Sequence, residues 1–244
     1  MAPELEKLRI GSVPYLNAAP LLRHLPDRVT LMEPSLLAQA FRRREFDLAL
    51  IPVVELFLEK EGAALDGIGI ACQGPVYSVI LVHDKSLDQI KRIALDVNSL
   101  TSATLLKVLV RKHWKIEVEF LPEGEEAEAR LLIGDRALEF RRQNPEAGVT
   151  DLGAAWRAYT GLPFVFAVWA LNPETKFEPG CLQLFFEACR KGLAERAYEA
   201  KTEEEYQYLT EWIRYEIGPF EKEAVRRFAE ELGEPGSLSW VPGC

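Results

Sequence analysis

Apolar and polar positions along the chain change period several times, and each change marks an element. Residues 8–13 (Leu-Arg-Ile-Gly-Ser-Val) read as a short strand ended by Pro14 and Tyr15, and a helix is predicted over 17–25. Residues 29–33 read as a second strand. Pro34 and Ser35 open a helix whose apolar face is Leu36, Leu37, Ala40 and Phe41. The run at 47–51 (Asp-Leu-Ala-Leu-Ile) is a buried strand, and Pro52 stands where a first helical turn tolerates proline, ahead of a helix face at Val54 and Phe57. Strands at 68–71 and 76–83 follow, split by Gly74 and Pro75.

A second alternating set begins with a strand at 92–96, a turn at Val97-Asn98-Ser99-Leu100 and a helix over 101–113. Strands are predicted at 118–121 and 129–134, with Asp135 as a helix N-cap. Leu152, Trp156 and Tyr159 sit at helical spacing, and 164–171 is an apolar strand. Beyond Pro179 the spacing is helical throughout: Leu182, Phe185, Phe186 and Cys189; then Tyr206, Leu209, Ile213 and Ile217; then Phe220, Val225, Phe228 and Leu232, stopped by Gly233. Such alternation implies an α/β chain with mixed, mostly parallel sheets. Without a low-complexity linker, two domains must be joined by extended crossings. Residues 1–80 plus 170–244 are predicted to form one domain and 81–169 an inserted second one. The apolar stretches near 76–83 and 164–171 would cross between them as a hinge, with ligands held beyond the carboxyl ends of the strands.

Composition narrows the function. Of 244 residues, 48% are hydrophobic and 27% charged, and the net charge is −9. An acidic surface argues against nucleic acid and anionic membrane as partners, though a pocket's local field can still favour a small anion. The amino-terminal residues lack the apolar segment of a signal peptide and no apolar run reaches membrane-spanning length, so the expected location is the cytoplasm. Cys72, Cys181, Cys189 and Cys244 lack metal-site spacing and read as free, mostly buried thiols. No metal site is expected from His24, His83 and His113, none at a ligand-pair spacing. Dinucleotide, Walker, nucleophile-elbow and zinc-protease signatures are absent from the sequence.

Candidate chemistry gathers where strands give way to helices: at 12–17 (Ser-Val-Pro-Tyr-Leu-Asn), at 99–102 (Ser-Leu-Thr-Ser), at Gly134-Asp135, and at the turn 160–163 before the last crossing strand. The first N–H groups of a helix lack internal partners and lie at the positive end of its dipole. Small hydroxyl and amide side chains add donors there at little bulk. One junction in each domain would set two anion sites face to face across the cleft, which suits a dicarboxylate. The plainer reading of Ser99, Thr101, Ser102, Asn17 and Asp135 is helix capping, worth about 1 kcal/mol each. The aromatic strand at Phe164, Phe166 and Trp169 reads more simply as core. Arg23, Arg136 and Arg157 could reach the cleft but read as surface residues.

Four collinear segments carry a resemblance. They are 9–20 (Arg-Ile-Gly-Ser-Val-Pro-Tyr-Leu-Asn-Ala-Ala-Pro), 94–102 (Ala-Leu-Asp-Val-Asn-Ser-Leu-Thr-Ser), 132–138 (Leu-Ile-Gly-Asp-Arg-Ala-Leu), and 151–156 with 160–169. Together they resemble the chorismate dehydratase (MqnA) family over roughly the first 170 residues. The resemblance implies a two-lobed, type II periplasmic-binding-protein-like fold with a central cleft. It implies a carbon–oxygen lyase without cofactor that converts chorismate to 3-[(1-carboxyvinyl)oxy]benzoate and water, the first step of the futalosine route to menaquinone. It places the functional asparagine on Asn17 and substrate contacts on Ser99, Thr101 and Ser102. Ser12, Tyr15, Ser78, Gly134, Asp135 and Phe164 complete the candidate substrate-binding set. Substrate-assisted elimination is the expected mechanism, and a monomer or homodimer the expected state. Two other readings share the fold: a solute-binding or sensor protein for a small carboxylate, and an MqnD-like sister synthase, whose Pro-Cys-Asn-Asp-Thr motif and histidine have no counterpart here.

Overall fold

The computed structural model describes residues 5–58, 63–96, 99–234 and 238–243. Val97 and Asn98 of the predicted turn, and Cys244, lie outside these. The first half runs β1 (Ile10–Ser12), α1 (Ala19–Leu22), β2 (Thr30–Leu31), α2 (Pro34–Arg42), β3 (Leu48–Pro52), α3 (Val53–Leu58), β4 (Ala63–Cys72), β5 (Val79–His83), β6 (Arg92–Ala94) and α4 (Leu100–Val108). It continues through β7 (Glu119–Leu121), β8 (Ala129–Ile133), α5 (Gly134–Gln143), β9 (Val149–Asp151), α6 (Leu152–Thr160) and β10 (Phe164–Leu171). The last third holds α7 (Cys181–Ala194), α8 (Glu203–Gln207), β11 (Arg214–Ile217), α9 (Pro219–Glu231) and β12 (Ser239–Val241).

Among the described residues the strands form two mixed sheets. The larger has the order β11-β4-β10-β3-β1-β2, with β12 also on β4. The smaller has the order β7-β6-β8-β5-β9. Pairing is parallel where strand–helix alternation predicts it, at β2-β1-β3 and β7-β6-β8. It is antiparallel where β10 lies between β3 and β4, and where β5 lies between β8 and β9. The chain changes sheet between Cys72 and Val79 and returns between Asp151 and Phe164. A boundary at residue 169 therefore falls inside β10, which pairs along its length with the larger sheet. The crossings are the short connections beside the apolar strands.

One continuous core underlies both sheets, from Leu50 and Trp169 to Leu81, Leu105 and Trp156. The alternation in β5 is decisive: Val79 and Leu81 enter that core, while Ile80 and Val82 join Leu132 and Ala137 on the other face of the smaller sheet. Asp151 caps α6 through the Ala154 N–H at 3.0 Å. Its carboxylate also accepts the N–H groups of Val76 (3.0 Å) and Tyr77 (2.7 Å), binding the first crossing to the start of α6. Tyr77 holds a left-handed backbone at φ 67°, with its ring stacked on Trp212 at 4.0 Å and the Arg141 guanidinium on its other side at 4.2 Å.

Two expectations change. The helix predicted over 17–25 contracts to α1, four residues long, because Tyr15 to Ala18 form a turn. The helical reading through Ile213 and Ile217 gives way to a strand. Ile213, Tyr215 and Ile217 are buried while Arg214 and Glu216 are exposed, the two-residue period of a half-buried strand.

Candidate active site

Between the sheets lies a cavity of about 600 Å³, its mouth included. Its floor is apolar, built from Leu50, Ile70, Phe166 and Ala167 of the larger sheet. Its rim collects seven of the ten candidates from the sequence: Tyr15 and Asn17 from the turn after β1, Ser78 from the first crossing, Ser99, Thr101 and Ser102 from the start of α4, and Gly134 from the start of α5.

The α4 side is a bare helix terminus. Ser99 occupies the N-cap position, but its side chain makes no capping bond. Its Oγ is buried and has no partner among the described residues. The capping alternative for Ser99 therefore does not hold. The Thr101 hydroxyl accepts the N–H of Val54, at the start of α3, at 3.5 Å. That leaves its own O–H to donate. Ser99, Thr101 and Ser102 are each at least 94% buried, and all line the cavity. The amides at the head of α4 have no carbonyl within the helix to receive them, so backbone and hydroxyls together offer several neutral donors.

The opposite side works differently. Because α1 is so short, Asn17 presents a side chain rather than a helix end. Asn17 Nδ2 donates to the Tyr208 hydroxyl at 3.0 Å, and Tyr208 donates to Ser78 Oγ at 2.7 Å. Asn17 Oδ1 has no partner among the described residues. Tyr208 is 1% exposed, and burial pushes its phenol well above the usual tyrosine range. Tyr15 donates to Glu33 at 3.0 Å, and burial together with that bond raises its phenol too. Gly134, at φ 57°, lies against the Tyr15 ring; a Cβ there would stand 3.3 Å from it. The Gly134 N–H is held by the Ser78 carbonyl at 2.8 Å.

Three candidates fall elsewhere. Ser12 is fully buried within β1, which lies between β2 and β3, and does not line the cavity. Phe164 packs beneath the site, its ring 5.3 Å from Trp156 and 5.0 Å from Phe228, and Phe166, two residues on, reaches the cavity instead. Asp135 caps nothing in its own helix, whose N-cap is Ile133. Its carboxylate accepts the Leu16 N–H at 3.1 Å, tying the smaller sheet to the Asn17 turn, and crowding by its surroundings raises its pKa. It borders a neighbouring groove rather than the cavity. Of the arginines considered, Arg23 pairs with Glu195 and Glu199, Arg136 with Asp96 and Glu123, and Arg157 is exposed. His83 bonds Thr150, and His24 bonds Glu195.

Tyr208 is the residue the sequence reading missed. It lies where α8 widens into a π-helical turn at Tyr208–Trp212. Residues two apart on a helix point to opposite sides, so Tyr208 is buried while Tyr206 is 44% exposed. No local motif announces this. Among the described residues lining the cavity, Tyr15 is the one side chain that ionises in water, and its phenol is held in the neutral form. The cavity thus offers neutral donors on both sides and no conventional proton acceptor.

The profile of a protein family described as menaquinone biosynthesis matches residues 8–234. The chorismate dehydratase of Thermus thermophilus is 30% identical, with 96% of this chain and 98% of that protein covered. The chorismate dehydratase of Campylobacter jejuni is 28% identical, covering 90% of this chain and 95% of that one. Among solved structures, a Candida albicans gene product of the generic periplasmic binding protein fold superposes with a TM-score of 0.60 at 13% identity, over 95% of this chain and 90% of that one. That likeness bears on the fold alone. Among the described residues no helix is long and apolar enough to cross a membrane.

Proposed function

The chain belongs to the menaquinone biosynthesis family, and from that premise we propose that it is a chorismate dehydratase, a hydro-lyase converting chorismate to 3-[(1-carboxyvinyl)oxy]benzoate and water. A ring C–H bond breaks and its electron pair forms the new ring double bond. The neighbouring C–O bond breaks, and the departing hydroxyl takes up a proton and leaves as water. The ring becomes aromatic, so the step is strongly downhill. The protein's tasks are to hold a dianion in one pose, keep water out, and offer donors where charge develops.

The observation that carries this reading is the cavity wall: neutral donors on both sides and, among the described residues, no side chain suited to act as base. A protein base normally contributes roughly 10²–10⁴-fold. The substrate's own enolpyruvyl carboxylate takes that part by accepting the ring proton. One carboxylate lies at the head of α4, against the amides and the hydroxyls of Ser99, Thr101 and Ser102. Asn17 faces it, using its remaining N–H and its carbonyl to orient the reacting portion. Tyr15, Ser78 and Gly134 shape the rim. The two sheets act as lobes, and the crossings at 73–78 and 161–163 act as the hinge. The enzyme works in the cytoplasm, as a monomer or homodimer, on a small dicarboxylate.

Mixing the protein with chorismate and following ultraviolet absorbance, with mass spectrometry of the product, tests the reading. An aromatic product 18 mass units lighter than chorismate is expected. Saturable binding with an unchanged spectrum would instead make this a carboxylate-binding protein on the same fold.

A further inference from the structure

We infer that Tyr208 is the positioning residue for Asn17: it fixes which face of the carboxamide meets the ligand, and so makes the C-terminal third part of the active site. The inference rests on the dehydratase reading for its kinetic consequence. The structural part stands on the hydrogen bonds alone.

A phenol has a single proton. Tyr208 gives it to Ser78 Oγ at 2.7 Å, so its oxygen is left to accept, and it accepts Asn17 Nδ2–H at 3.0 Å. This sequence leaves no second solution while Ser78 takes the proton. Asn17 Nδ2 is turned toward Tyr208, and Oδ1, with no partner among the described residues, stays available to the ligand. A carboxamide free to rotate would present its N–H₂ and its carbonyl in turn, and only one of these suits a given substrate group. The three residues come from three distant parts of the chain: the turn after β1, the first crossing and the turn after α8. The bonds span 191 and 130 positions in sequence.

The same C-terminal turn braces the crossing a second time. Trp212, four residues beyond Tyr208, stacks on Tyr77 at 4.0 Å, and Tyr77 precedes Ser78. Tyr77 is held in the left-handed region, and the N–H groups of Val76 and Tyr77 are both fixed by Asp151. Ser78 is therefore a rigid acceptor. Rigidity at one end of a hydrogen-bonded chain is transmitted to the group at the other. Tyr208 is buried away from water, so no solvent molecule competes for its hydroxyl.

Tyr208→Phe removes one oxygen and keeps the ring. Expected is a fall in kcat of about 10- to 100-fold, the scale of a misplaced reacting group, with KM within about threefold and the thermal midpoint nearly unchanged. In protein labelled with ¹⁵N in the asparagine side chains, the Asn17 amide resonance is assigned by its loss in Asn17→Ala. It should move in Tyr208→Phe toward the position of a solvated asparagine, and should also move in Ser78→Ala. Unchanged kcat, or a lowered kcat with an unmoved Asn17 resonance, overturns the positioning role. If Tyr208→Phe unfolds, Ser78→Ala carries the test, and an unmoved resonance there overturns it. Wild-type protein that shows the linked resonances but leaves chorismate intact would refute the dehydratase reading and leave this one standing.

Discussion

The two walls of the cavity solve one problem by different means. At the head of α4 the donors are mainly backbone amides, backed by hydroxyls within a single short segment. At the turn after β1 the helix is only four residues long, and the polar group is one side chain held by Tyr208, 191 positions away, which in turn bonds Ser78. A helix terminus is preorganised by its own ladder and tolerates loss of a side chain. A lone carboxamide is preorganised by the tertiary structure and fails when its supports do. A set of donors can thus be written locally, whereas the orientation of a single side chain has to be assembled.

The largest effect that could break this comparison is at Asn17. Asn17→Asp places a charge beside a substrate carboxylate, and turnover should drop by on the order of 10²–10³-fold, as for loss of a donor at a developing charge. Near-normal kcat would remove Asn17 from the mechanism. On the other wall, Ser99→Ala leaves the α4 amides in place. We expect KM to rise roughly 3- to 10-fold, the worth of one hydrogen bond, with kcat nearly kept. An effect as large as that of Asn17→Asp would erase the distinction between the walls.

Stability measurements sharpen it further. Asp151→Ala strips an acceptor from Val76, Tyr77 and Ala154, and should cost about 2–3 kcal/mol in urea unfolding, as for bonds to a charged group. Gly134→Ala puts a Cβ on a residue at φ 57° and against Tyr15, for roughly 1–2 kcal/mol. The smallest effect concerns alkaline pH. Tyr15 and Tyr208 ionise at higher pH folded than unfolded, chiefly through burial. Their contribution is complete below the unfolded value of about 10 and is lost as pH rises above it. Tyr208→Phe should therefore make the fall in stability between pH 10 and 11 shallower. An identical slope would place Tyr208 in contact with solvent.

Much of the larger frame was legible because it rests on local periodicity. The strand at 47–51, the helix opened by Pro34, the helix predicted from residue 101 and the core strand at 164–171 follow from apolar spacing and from proline in a first helical turn. Where two periods compete, the reading slipped. Ile213, Tyr215 and Ile217 satisfy a strand, yet Leu209, Ile213 and Ile217 also satisfy a helix, and only pairing with β4 decides. Asp135 looked like a cap because Asp before a helical run usually is one. Its carboxylate turned instead to Leu16, 119 residues away. Phe164 and Phe166 alternate alike along β10, and their depth separates core from cavity.

By itself the chain's order of residues determined the alternating elements, the family, and most of the small polar groups that ring the cavity. These depend on neighbours a few positions apart, whose propensities and turn chemistry act before any long-range contact forms. Tertiary structure alone decided that Ser12 is sealed between β2 and β3, that Asn17 lies in a turn, and that its side-chain N–H meets Tyr208. A buried hydroxyl finds its partner through packing, and packing joins segments that no local pattern connects.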